Sequence, residues 1–270
     1  MSLDQFYTKP ECAEKYYKIF TSIININDYD IILEPSAGSG SFYKLFPIEK
    51  RIGIDVDPKH KGIIKKDFFE YIPVKNKSYL IIGNPPFGKI SSSAVKFFNK
   101  SCEFADVIGF ILPRTFKRVS IQNHLNLNFH LIYSEDLPLK PCCFTPKMNA
   151  KCVFQIWIKK ETKRNVIRYD KTHKDFMFVK LGPKDINNQP TPPINADFAL
   201  KAYGSNCGEI VDSNLNELRP KSWHWIKSNI NVDKLKKRFS KLDYAISKDT
   251  VRQDSIGQQE LIFLYKQKYD

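Results

Sequence analysis

Apolar and polar positions alternate in blocks over the first 160 residues. Four short runs are almost entirely apolar, as expected of strands covered on both faces of a parallel sheet. These runs are residues 31–34, 51–55, 79–83 and 107–112. A weaker run at 63–66 and two runs at 129–134 and 152–158 complete a predicted set of seven strands. The alternation within the last run favours an antiparallel strand.

One amphipathic helix is predicted before these strands and another between the strands at 79–83 and 107–112. Residues 10–20 place apolar side chains at helical spacing, with Thr8 as the N-cap and Pro10 in the first turn. Residues 93–104 have a similar spacing. Strands that alternate with helices predict an α/β domain with a mostly parallel sheet of seven strands, one of them antiparallel.

The pattern changes after Lys159. Charged residues come first, followed by a predicted loop over 182–193 that contains four prolines. The elements predicted for the remainder are strands at 197–203, 209–211 and 222–226 and helices at 232–245 and 255–268. We therefore expect a first domain of residues 1–159 and a small basic α+β extension of residues 160–270, which is a candidate target-recognition or nucleic-acid-binding region.

The charge balance narrows the choice of partner. Lys and Arg number 43 against 29 Asp and Glu, and the net charge of +14 favours an anionic partner, nucleic acid first. The longest apolar run is far shorter than the ~20 residues of a transmembrane helix, and no secretory signal precedes the first helix. We expect an intracellular, cytoplasmic protein. Six cysteines without a Cys-x-x-Cys spacing predict no metal site.

A glycine-containing turn follows the first predicted strand, with the sequence EPSAGSG at residues 34–40. At the carboxyl edge of a parallel sheet such glycines let the backbone approach a ligand closely, which is typical of nucleotide-like sites. The alternative is an ordinary tight strand-to-helix connection. Tyr43 stands where a dinucleotide fingerprint needs a third glycine, and the turn lacks the Gly-Lys-Ser/Thr of a phosphate-binding loop, so both of those sites are disfavoured.

Carboxylates follow the next two strands. Asp55 ends the second strand, where an acid can accept hydrogen bonds from both hydroxyls of a ribose. Asp57 fits a turn or helix cap, although it could line an adenine pocket. Asp67 lies beside Phe68 and Phe69, where it could bind an adenine amino group, with a solvated loop acid as the alternative.

The most specific element is Asn84-Pro85-Pro86-Phe87, directly after the apolar strand 79–83. Two successive prolines fix the backbone, because each residue before a proline is driven toward extended geometry. The Asn84 amide oxygen and the Pro85 carbonyl could then accept hydrogen bonds from one exocyclic amino group, and Phe87 could stack on its ring.

With these motifs the chain resembles the S-adenosylmethionine-dependent methyltransferases that modify amino groups, in particular the small N6-adenine DNA methyltransferases. The resemblance covers about residues 4–159. It implies a Rossmann-like methyltransferase fold, S-adenosylmethionine as cofactor, DNA as partner, and methyl transfer to the exocyclic N6 of a flipped adenine. The motif order is similar to the gamma arrangement, in which a target-recognition region follows the catalytic tetrad.

The resemblance also implies a role for individual residues. Residues 5–10 are similar to the family's N-terminal cofactor segment, and the loop at 34–40 is similar to its methionine-binding loop. The implied cofactor-binding residues are Tyr7, Thr8, Glu34, Pro35, Ser36, Gly38, Gly40, Asp55, Val56, Asp67, Phe68 and Asn84. The implied catalytic residues are Asn84, Pro85, Pro86 and Phe87, and the residues expected to contact the target base are Phe87 and Phe144.

Alternatives stay open at this point. Protein glutamine methyltransferases of the release-factor type share an Asn-Pro-Pro-Tyr tetrad, and RNA adenine methylation fits the same basic surface. A nucleic-acid-binding protein on a non-catalytic methyltransferase scaffold is a rival of another class. Phe144 fits an ordinary loop anchor equally well.

Overall fold

The computed structural model describes residues 6–270, so Gln5, in the predicted N-terminal cofactor segment, lies outside the described residues. The chain divides into two compact units, of which the first ends at Val166 and the second spans Ile167–Asp270. All the site residues predicted above belong to the first unit.

Seven strands of the first unit form one sheet, in the order β4-β3-β2-β5-β6-β9-β7. In chain order, the strands described in this unit are β1 (Tyr7–Thr8), β2 (Ile31–Pro35), β3 (Arg51–Asp55), β4 (Ile64–Lys65), β5 (Tyr79–Gly83), β6 (Val107–Pro113), β7 (Phe129–Asp136), β8 (Phe144–Thr145) and β9 (Cys152–Lys159). β2 to β6 are parallel, and β9 runs antiparallel to both of its neighbours. The predicted Rossmann-like class, a mostly parallel seven-stranded sheet with one antiparallel strand, is therefore confirmed.

Helices cover both faces of this sheet. They are α1 (Pro10–Ile23), α2 (Ser92–Ser101) and the short α3 (Val119–Gln122). α1 begins at the predicted proline, but the prediction of Thr8 as its N-cap was wrong, because Thr8 lies in β1 and the N-cap is Lys9, which makes no side-chain capping bond. In the described chain, the connections between β2 and β3 and between β4 and β5 contain only 3₁₀ turns and bends.

The core explains why the strands are continuously apolar. Every residue of β5 and β6 is buried. On one face Phe20 of α1 lies so close to Gly109 that a Cβ there would be 2.6 Å from its ring. On the other face Phe98 of α2 packs edge-on against Trp157, with ring centroids 5.4 Å apart. Burial on both faces removes the polar positions that a half-exposed strand would show.

The second unit is a four-stranded antiparallel sheet packed with two helices. Its elements are β10 (Phe176–Phe178), β11 (Phe198–Lys201), β12 (Ile210–Val211), β13 (Trp223–Ser228), α4 (Val232–Phe239) and α5 (Gln258–Tyr269). The prediction missed β10 and made α4 six residues too long, since the helix ends at Phe239 instead of Ala245. No helix in the described part of the chain has the length and apolar character needed to cross a bilayer.

Candidate active site

The order of the strands reverses between β2 and β5. β3 and β4 extend the sheet on one side of β2, and β5 and β6 extend it on the other. Open α/β sheets bind their ligands beyond the carboxyl ends of the strands at such a switch point. Glu34 is in register with Gly53, and Leu33 with Ile81, so β2, β3 and β5 end at the same edge. The predicted glycine loop, ribose acid and tetrad all leave the sheet there.

The glycine loop after β2 contacts both Asp55 and the N-terminal segment. The Gly38 N–H donates a hydrogen bond to Asp55 Oδ2 at 2.7 Å. Gly38 has a φ of 50°, and a Cβ on it would lie 2.8 Å from two ring carbons of Tyr7. Only glycine fits beneath that ring. The fold therefore brings Tyr7, Gly38 and Asp55 together, although they are distant in sequence.

Glu34 binds the backbone that follows the glycine loop from inside the protein. Its side chain is buried, and Oε2 accepts a hydrogen bond from the Tyr43 N–H at 2.7 Å. A Cβ on Gly83 would lie 3.1 Å from Glu34 Cγ, so glycine at the end of β5 makes room for this side chain. Burial raises the pKa of Glu34 well above its ordinary value, the Tyr43 N–H opposes that rise, and the nearby Asp55 charge adds to it.

Asp55 is half-buried at the end of β3 and accepts one hydrogen bond on each carboxylate oxygen. Besides the Gly38 N–H on Oδ2, the Asp57 N–H donates to Oδ1 at 2.7 Å. A carboxylate offers about four acceptor positions. Two positions therefore stay available for the hydroxyls of a ribose. The Asp57 carboxylate instead forms an ion pair with Lys59 at 2.6 Å.

The residues predicted to surround an adenine differ in their exposure to solvent. Asp67 is exposed, and its Oδ1 accepts the Phe69 N–H at 2.9 Å at the start of a 3₁₀ turn. Phe68 is buried in the core and stacks on Phe97 with ring centroids 5.3 Å apart, so its ring has no open face for a ligand. Val56 and Phe69 are the exposed apolar side chains here. Phe68 therefore cannot present its ring to an adenine, whereas Val56 and Phe69 expose apolar surface.

Asn84 has an unusual amide directly after β5. Its Nδ2 donates to the Phe6 carbonyl at 3.3 Å, which orients the side chain. Its Oδ1 is buried and accepts no hydrogen bond from any described residue. Leaving a buried acceptor unpaired costs about 1–3 kcal/mol. The oxygen is thus a fixed acceptor without a donor in residues 6–270.

The remaining tetrad residues are held between β5 and α2. Pro85 is buried, Pro86 is exposed and Phe87 is half-buried. The Phe87 carbonyl accepts the Ala94 N–H from α2 at 3.3 Å. Part of the Phe87 surface is therefore open while its backbone is tied to a helix.

The pairing of β1 with β8 covers the edge of the site. Thr8 is in register with Phe144, and Tyr7 with Thr145. Phe144 is only 4% exposed, so a base could contact its ring only after this ribbon moved. Thr8 is also buried, its Oγ1 has no partner among the described residues, and its carbonyl accepts the Ser41 hydroxyl at 2.5 Å.

A cleft of about 470 Å³ lies beside the ribbon. Polar residues that line it include Thr8, Lys9, Glu14, Ser39, Ser41, Lys44 and Thr145. Cations, a carboxylate and hydroxyls in one cleft complement a zwitterionic group such as the α-amino acid end of a ligand.

The loops that leave this edge after β5, β6 and β7 are basic. Residues 84–91, 114–118 and 137–151 contain no Asp or Glu. Their basic residues are Lys89, Arg114, Lys117, Arg118, Lys140, Lys147 and Lys151. The acid Asp136, at the end of β7, is bound by Arg114 and Lys117. This edge therefore carries a net positive charge, which suits a polyanion. Within residues 6–270 no group of three His, Cys, Asp or Glu side chains could hold a metal ion.

For four residues at this edge the sequence predicted no individual role. The Phe6 carbonyl orients Asn84, Gly83 makes room for Glu34, and Ser41 and Lys44 line the cleft. The position of Gly83, directly before the tetrad, could have indicated its role. The others depend on contacts between distant segments, which local sequence does not encode.

No protein-family model and no curated protein sequence matches the chain. Its fold is similar to several solved structures. A Pyrococcus horikoshii protein proposed to be an RNA methyltransferase is 20% identical, over 58% of this chain and 87% of its own, with a TM-score of 0.44. The 23S rRNA methyltransferase ErmE is 13% identical over 59% and 71%, with a TM-score of 0.41. The Synechocystis magnesium protoporphyrin IX methyltransferase, solved with bound SAM, is 8% identical over 55% and 79%, with a TM-score of 0.40. At these TM-scores the likenesses carry no argument about function.

Proposed function

We propose that this protein transfers a methyl group from S-adenosylmethionine to the exocyclic N6 amino group of adenine in DNA. The observation that supports this most directly is the Asn84 amide, whose buried Oδ1 has no donor among the described residues while Nδ2 is held by the Phe6 carbonyl. An oriented acceptor that lacks a donor suits an incoming amino group.

The residues at the carboxyl edge fit S-adenosylmethionine. The two remaining acceptor positions of Asp55 suit the ribose hydroxyls, and the exposed Val56 and Phe69 suit an adenine face. The cleft with Lys44, Glu14 and the hydroxyls of Ser39 and Ser41 suits the zwitterionic methionine end.

The tetrad residues would supply the chemistry that an aromatic amine needs. The adenine amine is a poor nucleophile, because its lone pair is delocalised into the ring. Hydrogen bonds from its two N–H groups to Asn84 Oδ1 and the Pro85 carbonyl favour a tetrahedral nitrogen, whose lone pair then points away from the ring plane. The two acceptors also stabilise the positive charge that develops on nitrogen during attack.

S-adenosylmethionine, when bound, supplies the electrophilic sulfonium methyl group. The nitrogen lone pair forms the new N–C bond as the C–S bond breaks and its electron pair passes to sulfur. One amino proton then leaves to water, so no covalent link to the protein is required. An adenine in a duplex must leave the base stack to reach Asn84, and the half-buried Phe87 offers a ring for it to stack on.

The charge of the molecule supports a nucleic acid as the polymer. The basic loops after β5, β6 and β7 surround the proposed site, and the second unit, residues 167–270, adds 18 basic against 13 acidic side chains. We assign to the second unit a role in holding the DNA backbone, by contacts that release counterions and weaken with salt.

The test is methyl transfer from labelled S-adenosylmethionine to DNA, RNA and protein in parallel, followed by digestion and identification of the product. We expect N6-methyladenine in DNA. Asn84→Ala should lower the single-turnover rate by at least ~100-fold, the usual effect of losing one preorganised contact, and leave cofactor affinity nearly intact. Phe87→Ala should instead weaken binding of the flipped base, while Phe87→Tyr should be tolerated because stacking needs only the ring face.

Asn165→Ala, at an exposed amide in the same unit, is the matched control and should behave as wild type. Near-wild-type transfer by Asn84→Ala would reject the assigned chemistry. Methylated glutamine, or methyladenine in RNA alone, would reject the DNA substrate but not the cofactor.

A further inference from the structure

A narrow hairpin projects from the second unit after β10. The Gly182 N–H donates to the Thr191 carbonyl at 2.9 Å, and the Thr191 N–H donates to the Pro183 carbonyl at 3.0 Å. The Asp185 N–H donates to the Gln189 carbonyl at 2.8 Å. The residues from Gly182 to Thr191, the tip hairpin hereafter, are thus joined across both strands of the turn. The turn is therefore a hydrogen-bonded structure and not an irregular loop.

Asp185 stabilises the apex of the tip hairpin with its side chain. Its Oδ1 accepts the N–H groups of Asn187 and Gln189, both at 2.9 Å. Asn188 adopts a left-handed backbone with a φ of 59°, a conformation that asparagine tolerates well. The one acidic side chain of the apex is therefore bound to the turn's own backbone, and Lys184 directly before it balances its charge.

Ile186 is the apolar residue at this apex, and its side chain is 100% exposed. Single exposed aliphatic residues are common on protein surfaces. This one differs because it stands at the apex of a hydrogen-bonded turn, where its neighbours in the chain are Lys184, the backbone-bound Asp185, Asn187 and Asn188. A rigid apolar point flanked by a cation and amides matches the side chains that enter between base steps of a duplex and unstack them.

We propose that the tip hairpin is a wedge that inserts Ile186 between stacked base pairs of duplex DNA. Lys184 would contact a phosphate, and the amides of Asn187 and Asn188 would contact base edges or sugars. The proposal rests on the proposed function in its choice of partner, and it adds a group that lowers the cost of taking a base out of the stack. The excess of basic residues in this part of the chain provides the attraction to DNA.

The test measures binding of the full-length protein to a fluorescent duplex and to the single strand of the same sequence. Ile186→Ser should weaken duplex binding by about 10-fold, because it removes the burial of one aliphatic side chain, and should leave single-strand binding within about 2-fold. The slope of affinity against salt should stay unchanged, since Ile186 releases no counterion. Ile186→Met should keep duplex affinity, because methionine is also used as a wedge.

Ile194→Ser is the matched control. Ile194 is 98% exposed, but it lies beyond the tip hairpin, so this variant should bind both DNA forms as wild type does. Equal duplex affinity of wild type and Ile186→Ser would overturn the proposal. A loss shared by duplex and single strand, or an equal loss in Ile194→Ser, would overturn it too.

A duplex containing 2-aminopurine gives a second readout that needs no methyl transfer. Wild-type protein should raise its fluorescence by unstacking the probe, and Ile186→Ser should raise it several-fold less. If the protein methylates no DNA yet shows this difference, the proposed function fails and the wedge stands. If it methylates DNA and the two proteins unstack the probe equally, only the wedge fails.

Discussion

The contact between Tyr7 and Gly38 gives the sharpest test of how the site is assembled. Gly38→Ala changes two things at once. The residue has a φ of 50°, and a residue with a Cβ costs about 1–2 kcal/mol in the left-handed region. The new methyl group would also lie 2.8 Å from two Tyr7 ring carbons, against an optimal separation of about 3.5–4.0 Å between carbon atoms. The ring or the loop must therefore move.

That movement adds a second cost. Overpacking of this kind typically costs about 1–3 kcal/mol, and it also disturbs the 2.7 Å bond between the Gly38 N–H and Asp55. Together we expect Gly38→Ala to lower the free energy of unfolding of the first unit by roughly 2–5 kcal/mol. S-adenosylmethionine affinity should fall by at least ~10-fold, since the proposed function assigns the ribose to Asp55 beside this loop.

A double-mutant cycle with Tyr7→Ala isolates the steric part. Apart from the Tyr7 ring and the residues next to Gly38 in the chain, the nearest atom to the new methyl group is Asp55 Oδ2, at 4.0 Å, which is no clash. In the Tyr7→Ala background Gly38→Ala should therefore cost only the backbone part, about 1–2 kcal/mol. Gly204→Ala is the control for a glycine of positive φ without a clash, because φ is 94° and nothing lies within 4 Å of its Cβ. Chemical denaturation and calorimetry give the two readouts. An equal cost of Gly38→Ala with and without the Tyr7 ring would refute the close approach of the N-terminal segment.

Two further predictions concern the carboxylates of the loop. Asp55→Ala should weaken S-adenosylmethionine binding by roughly 30- to 160-fold in calorimetry, about 2–3 kcal/mol for two charge-assisted hydrogen bonds. Asp57→Ala should have a much smaller effect. An unchanged dissociation constant for Asp55→Ala would mean that the ribose lies elsewhere. Because burial raises the pKa of Glu34 in the folded state, its contribution to stability is complete below the unfolded pKa near 4.5 and is lost as the pH rises toward the folded pKa. Glu34→Gln keeps an acceptor for the Tyr43 N–H and removes this loss. In denaturation series at increasing pH, the stability of this variant relative to wild type should therefore rise from about pH 4.5 upward. A difference in stability that does not change with pH would contradict the buried carboxyl.

The sequence by itself determined the sheet and the positions of its polar strand ends. β5 and β6 were predictable because strands buried on both faces leave a continuous apolar run, and Asp55 and Asn84 were notable because each comes directly after such a run. In a parallel sheet these strand ends must meet at one edge, so the sequence was enough to predict that Asp55 and Asn84 belong to one site. Local rules were weaker at element ends, as α4 ended early at Phe239 and Thr8 belonged to a strand instead of a cap.

Tertiary structure alone decided which of the predicted site residues are buried, exposed or hydrogen-bonded. The pairing of β1 with β8 joins segments more than 130 residues apart through two residues each, and so short a pairing has no local signature. That pairing holds the Tyr7 ring over Gly38 and buries Phe144, while the hydrogen bond to the Phe6 carbonyl turns Asn84 so that its oxygen stays unpaired. Phe68 and Phe69 are adjacent and identical in type, yet one packs in the core and the other faces solvent. Burial and hydrogen bonding depend on which distant groups arrive at a position, and only the folded chain specifies them.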